Sequence, residues 1–104
     1  MKNLFLDDKR VAPDGYVLVK SVRQCIEYLE RNAVARLSLD YNLGKNKPKG
    51  YRVALYMVRR KKFPPHITIH SNSPRGRMKM YRLLARHKPK GVSLEIRPLP
   101  TPLK

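Results

Sequence analysis

The sequence predicts an α/β fold, a three-layer sandwich around a five-stranded, mostly parallel sheet, with the first crossover helix missing. Three observations predict it. Short apolar runs alternate with stretches of helical periodicity in the order β-β-α-β-α-β-α-β. The first, third and fourth runs each stop at polar residues: Asp7-Asp8, Asp40, and His70-Ser71-Asn72. A length of 104 residues with 41% hydrophobic residues allows one compact core and no second one.

Taken in order, Leu4-Phe5-Leu6 is a buried strand ended by Asp7-Asp8. Pro13, Asp14 and Gly15 mark a turn, and Tyr16 to Val19 form the second strand. Ser21 is an N-cap with Gln24 as its capping-box partner. Val22, Cys25, Ile26 and Leu29 then recur on one helical face, which makes Cys25 a small buried hydrophobe. Leu37-Ser38-Leu39 is the third strand, followed by a polar, lysine-bearing loop from Asn42 to Gly50. Tyr51, Ala54, Leu55 and Val58 mark the second helix, which ends in the cations Arg59 to Lys62 and is stopped by Pro64-Pro65. Ile67-Thr68-Ile69 is the fourth strand. Ser73-Pro74 caps a third helix striped by Met80, Leu83 and Leu84. Gly91 ends it, and Val92 to Ile96 is the fifth strand. Residues 1–97 form one domain, and 98–104 a Pro-rich extended tail. The join between the first two strands, Asp7 to Gly15, shows no helical pattern, so strand two is parallel with a helix missing, or an antiparallel edge.

The charge narrows the class of partner. Twenty-four Lys and Arg against seven Asp and Glu give a net charge of +17. Such self-repulsion points to a polyanion, RNA before DNA, or a nucleotide phosphate. Six Tyr among the basic residues can stack on unpaired bases. A single cysteine excludes a disulfide within the chain and a cysteine-built zinc site. The longest apolar run, Val53 to Val58, is too short to span a bilayer, and Asp7-Asp8 stand where a signal peptide needs apolar residues. The expectation is a cytoplasmic protein without membrane partners, a monomer or weak oligomer.

Three of the seven acidic residues stand at strand C-terminal ends. In a 2-1-3-4-5 strand order the first, third and fourth strands are neighbours, and ligands bind at that edge. Asp7, Asp8, Asp40, His70 and Ser71 then converge. Clustered carboxylates in so basic a chain suggest a hard cation, Mg²⁺ or similar, held by Asp7, Asp8 and Asp40. The third helix starts just beyond, where Asn72, Ser73, Arg75 and Gly76 can cradle a phosphate. His66 and His87 have structural roles.

These residues resemble a response-regulator receiver domain, of flavodoxin-like architecture. The acidic pair, the single Asp and a Ser after the fourth strand match, and Arg97-Pro98 stands where receivers carry Lys-Pro. A closer similarity is to the cyclic-phosphate processing receiver domain family, carried by LFLDDKR at 4–10, LSLDYNLG at 37–44 and IHSNSPRGRM at 69–78. The resemblance implies chemistry on cyclic or terminal phosphates of RNA or nucleotides. The expected enzyme is a metal-dependent phosphoesterase in which His70 is general acid or base and Ser71 and Asn72 orient the phosphate. Ser73, Arg75 and Arg97 bind it, and Asp40 is a metal ligand or a covalent nucleophile. The alternatives are a signalling receiver phosphorylated on Asp40, and a nucleic-acid binder without catalysis.

Overall fold

A computed structural model describes residues 1–97, so the expected tail at 98–104 lies outside the described residues. The elements follow the expected order: β1 Lys2–Leu6, β2 Tyr16–Val19, α1 Val22–Arg31, β3 Val34–Leu39, α2 Tyr51–Arg60, β4 His66–His70, α3 Pro74–His87 and β5 Ser93–Arg97. The sheet order is β2-β1-β3-β4-β5 and every neighbouring pair is parallel. This is the small flavodoxin-like receiver architecture. Of the two possibilities for β2, the parallel one holds, and nine residues without a helix reach it. Gly15, at φ +85°, supplies the left-handed turn that redirects the chain into β2.

The helix caps form at the residues the sequence indicates, although the Gln24 side chain reaches the amide one residue before the N-cap. Ser21 Oγ accepts the Gln24 amide at 3.1 Å, and the Gln24 side chain accepts the Lys20 amide at 2.8 Å. Ser73 Oγ accepts the Gly76 amide at 3.0 Å, with Pro74 opening the helix. The third strand is longer than expected, because Val34 and its neighbours extend it toward β1.

The layering differs from the expectation. The three connections that hold helices all step in one direction across the sheet: β2 to β3, β3 to β4, and β4 to β5. Right-handed crossovers then put all three helices on the same face. Only the β1–β2 connection steps the other way, and it carries no helix. The fold therefore has two layers and not three. Leu4, Leu6, Leu37, Leu39, Ile67 and Ile69 point to the helices and are fully buried with Met57, Met80 and Leu84. The alternate positions, among them Asn3, Arg36, Thr68 and Glu95, line a cavity of about 540 Å³ on the opposite face. A parallel sheet with a polar, open face departs from the usual two-sided burial. No helix among the described residues is long and apolar enough to cross a membrane.

Two glycines tie the loop after β3 to the helices. Gly50, the N-cap of α2, donates its amide to the Tyr41 carbonyl at 2.8 Å, and a Cβ there would overlap the Asp40 carbonyl oxygen. Gly76, in the first turn of α3, lies so close to the Tyr41 ring that a Cβ would overlap it. Tyr41 is thus wedged between two helix starts, and Asp40 beside it is placed by both. Replacing Gly76 by Ala should cost about 1–3 kcal/mol through overpacking, read as a lowered Tm in thermal melts. A variant melting with the wild type would show that Tyr41 is not wedged there.

Candidate functional site

Register builds the site. Leu6, Leu39 and Ile69 pair across β1, β3 and β4, so the residues that follow them, Asp7, Asp40 and His70, stand side by side at the sheet's C-terminal edge. Ladder bonds continue one step past β1 and β3: the Asp7 amide donates to the Val19 carbonyl and the Asp40 amide to that of Leu6. Side-chain alternation turns Asp7, Asp40 and His70 away from the helices. All three are buried. They offer one ligand atom each, and these atoms lie within 4.8 Å of one another.

The missing helix gives Asp7 its partners. The chain after β1 folds over the carboxylate, and Oδ1 accepts the amides of Lys9 at 2.9 Å and Arg10 at 3.0 Å. Oδ2 accepts from the Arg10 guanidinium at 3.1 Å and stands 3.0 Å from His70 Nε2. Burial alone would raise the pKa of Asp7. The two amides, Arg10 and His70 outweigh it and hold the carboxyl below its ordinary value.

Asp40 has the opposite balance. Burial and the nearby negative charge of Asp7 push its pKa up to about 6, against smaller help from the Tyr41 amide, Ser71 and Arg10. Its Oδ1 accepts the Tyr41 amide at 2.7 Å, and Oδ2 is 3.9 Å from the Arg10 guanidinium.

Both ring nitrogens of His70 are engaged. Nδ1 is 2.6 Å from Ser38 Oγ, and the ring stacks on Phe5 with centroids 4.4 Å apart and planes 3° from parallel. Burial lowers the His70 pKa, more than Asp7 raises it. A neutral ring beside an ionised Asp7 donates from Nε2 and accepts the Ser38 hydroxyl at Nδ1. The expected free general acid or base is therefore a clamped imidazole.

A polar cavity of about 340 Å³ opens over Asp40. Asp8, Lys9, Arg10, Lys45, Lys49 and Asn72 line it, with Ser71 at its floor. Asp8, the third expected carboxylate ligand, faces this cavity but stands outside the tight Asp7–Asp40–His70 group, which could hold a metal ion. The carboxylates of that group suit a hard divalent cation such as Mg²⁺ or Mn²⁺. Arg10 already supplies a positive charge between the two carboxylates and would have to yield to a metal held by both.

The remaining expected residues divide. Ser71 is buried, its Oγ accepting the Ser73 amide at 3.2 Å, and Asn72 is exposed at the cavity rim. Ser73 and the Gly76 amide are bonded to each other, so the expected phosphate cradle is closed at that point. Arg75 faces a different groove, between α2 and α3. Arg97 pairs with Glu95 at 3.0 Å and lies on the open sheet face. Sequence reasoning missed Arg10, Ser38, Phe5, Lys45 and Lys49. Period-two alternation from Asp7 and Asp40 leads back to Phe5 and Ser38.

Compared with known proteins, residues 2–86 match the family model described as the cyclic-phosphate processing receiver domain. That span contains the whole cluster and its loops. Among curated proteins, none matches the chain.

The raised pKa of Asp40 has a measurable consequence. Its folded value, about 6, exceeds the ordinary 3.8, so its contribution to stability is present at low pH and is lost as pH rises through about 6. The loss is of order 3 kcal/mol for a shift of about two units. Asp40→Asn removes it, while His70 contributes equally to both proteins. In chelator, the stability of Asp40→Asn relative to wild type should therefore grow between about pH 4 and pH 6.5. Denaturant melts across that range that show a constant difference would refute the raised pKa of Asp40, which burial causes first and Asp7 second.

Proposed function

The chain belongs to the cyclic-phosphate processing receiver domain family, and on that premise we propose that it is a metal-dependent phosphoesterase acting on cyclic or terminal phosphates of RNA or nucleotides. The observation that carries this reading is the pair of buried carboxylates with unequal surroundings, Asp7 held ionised and Asp40 raised toward neutrality, beneath a cavity rimmed with cations. Environments that push two carboxyl pKa values apart divide charge-holding from proton transfer.

In this reading Lys45, Lys49 and Asn72 bind and orient the phosphate in the cavity. Arg10 neutralises charge at its inner wall. Without a metal ion Asp40, with a pKa of about 6, holds or releases a proton near neutral pH; with one bound it would serve as a ligand. His70 acts through Asp7: it positions that carboxylate, with Ser38 and Phe5 holding the ring in place. A divalent ion would be held by Asp7 and Asp40, with Asp8 across the cavity, while His70 stays on Asp7. When bound it polarises a phosphoryl oxygen and makes a water more acidic. The net charge of +17 supports a polyanionic substrate.

One observation favours a second reading. Asp40 Oδ2 stands 3.9 Å from the Arg10 guanidinium and Asp40 lines the cavity, as an acceptor of a phosphoryl group would. That reading is a signalling receiver.

An oligonucleotide ending in a 2′,3′-cyclic phosphate separates the two. With Mg²⁺ or Mn²⁺, the wild type should open the ring, adding the mass of one water, and Asp40→Asn or chelator should reduce the rate at least about a hundredfold. His70→Gln should lose less, because the ring positions Asp7 and does not meet the substrate. A wild type no faster than buffer would end the hydrolase reading. Stable phosphorylation of Asp40 by a small phosphodonor, without ring opening, would establish the receiver reading.

A further inference from the structure

The basic residues are not spread evenly. Residues 41–94 contain fifteen Lys and Arg and no Asp or Glu. This segment supplies the site loop, α2 and α3. Four of its cations, Arg75, Lys79, Arg82 and Arg86, recur at i, i+4, i+7 and i+11 along α3, one above another on a single stripe. All four are exposed. No acidic group pairs with any of them among the described residues. Their helix therefore carries a row of like charges with no internal compensation.

The row lines a groove of about 550 Å³, with Tyr51 of α2 on the facing wall and Met78 exposed in it. The Lys79 ammonium sits 4.5 Å from the Tyr51 ring centroid. The groove begins at Pro74 and Arg75, three residues beyond Ser71, which floors the phosphate cavity. From there the stripe runs about 16 Å down the helix. A linear array of cations leading away from a phosphate cavity, beside an aromatic and a thioether surface, matches a flexible polyanion with flat apolar groups.

We propose that the groove between α2 and α3 is the track for a single-stranded nucleic acid whose terminal phosphate lies in the cavity above Asp40. Arg75, Lys79, Arg82 and Arg86 contact successive backbone phosphates, and Tyr51 and Met78 meet a base. The proposal rests on the functional reading for the direction of the strand, and on the charge pattern alone for the groove.

The test uses a labelled single-stranded RNA of about twelve nucleotides with a 3′-hydroxyl end, so that binding does not require chemistry. Anisotropy titrations across a range of salt concentrations compare wild type, Arg82→Glu/Arg86→Glu, and a control with the same charge change at the other end of α2, Arg59→Glu/Lys62→Glu. All four positions are exposed, and a thermal melt checks that each protein folds; Gln variants replace any Glu variant that does not. The groove variant should bind at least about tenfold more weakly at low salt. Its log–log salt slope should be shallower by roughly 1.4, about 0.7 for each phosphate that is no longer neutralised. The control should change both far less. Equal losses in the two variants would mean diffuse attraction and overturn the proposal. Equal or tighter binding of a duplex would overturn its single-stranded part. Localised binding together with a wild type that opens no cyclic phosphate would leave the groove standing and remove the hydrolase reading.

Discussion

A fully buried carboxylate must be compensated, and in this protein Asp7 is compensated four times over. Two amides, one guanidinium and one imidazole close around it. An isolated buried charge costs several kcal/mol, and hydrogen bonds of this number offset it. The rest of the edge depends on that arrangement. Burial, and then the ionised Asp7 beside it, raise the pKa of Asp40, and because Arg10 is drawn to Asp7, it also stands near Asp40. His70 is fixed in tautomer and orientation by the same carboxylate, with Ser38 and Phe5 completing its surroundings. Asymmetry between two neighbouring carboxylates is what makes the site more than a pair of strand-end caps.

Topology explains why those partners are available. A helix after β1 would have taken Lys9 and Arg10 into its first turn and covered the face where Ser38, Phe5 and the His70 ring lie. Without it, the β1–β2 connection is free to wrap Asp7. The same omission leaves the sheet open on one side and confines the helices to the other. The acidic residues outside the site, Asp14, Glu27, Glu30 and Glu95, all fall on α1, the β1–β2 turn or β5. The α2–α3 side is left wholly basic. Charge in this chain is segregated by element, with a small acidic pocket set into a cationic surface.

Much of this was legible from the residues. Strand ends marked by Asp7, Asp40 and His70, helix starts marked by Ser21 and Ser73, and the absence of a helix between Asp7 and Gly15 are local signals, each with its own physical cause. Their order fixes the neighbours once 2-1-3-4-5 is assumed. The two-layer arrangement followed from that same order, since right-handed connections stepping one way share a face, but it becomes visible only when handedness is traced connection by connection. Arg10 was harder, because its role arises from a loop with no periodicity. The roles expected of Ser73 and Arg97 failed to appear at the cavity for simple reasons: the first is spent on a cap, and the second lies on an exposed strand face paired with Glu95. His70 was expected at this edge as a general acid or base; its clamping was not legible, because it depends on Ser38 of the neighbouring strand and on Phe5 and Asp7 two strands away.

The central claim is that the carboxylate cluster at the sheet edge, and not acidic surface at large, is where a divalent cation acts. Paramagnetic broadening by substoichiometric Mn²⁺, followed in amide-resolved NMR spectra, tests it most directly. Amides of Asp7 to Arg10, Asp40-Tyr41 and Ser71-Asn72 should broaden first, and Asp40→Asn should weaken the effect there. Broadening centred on Glu27, Glu30 or Glu95, or none at the sheet edge, would contradict it.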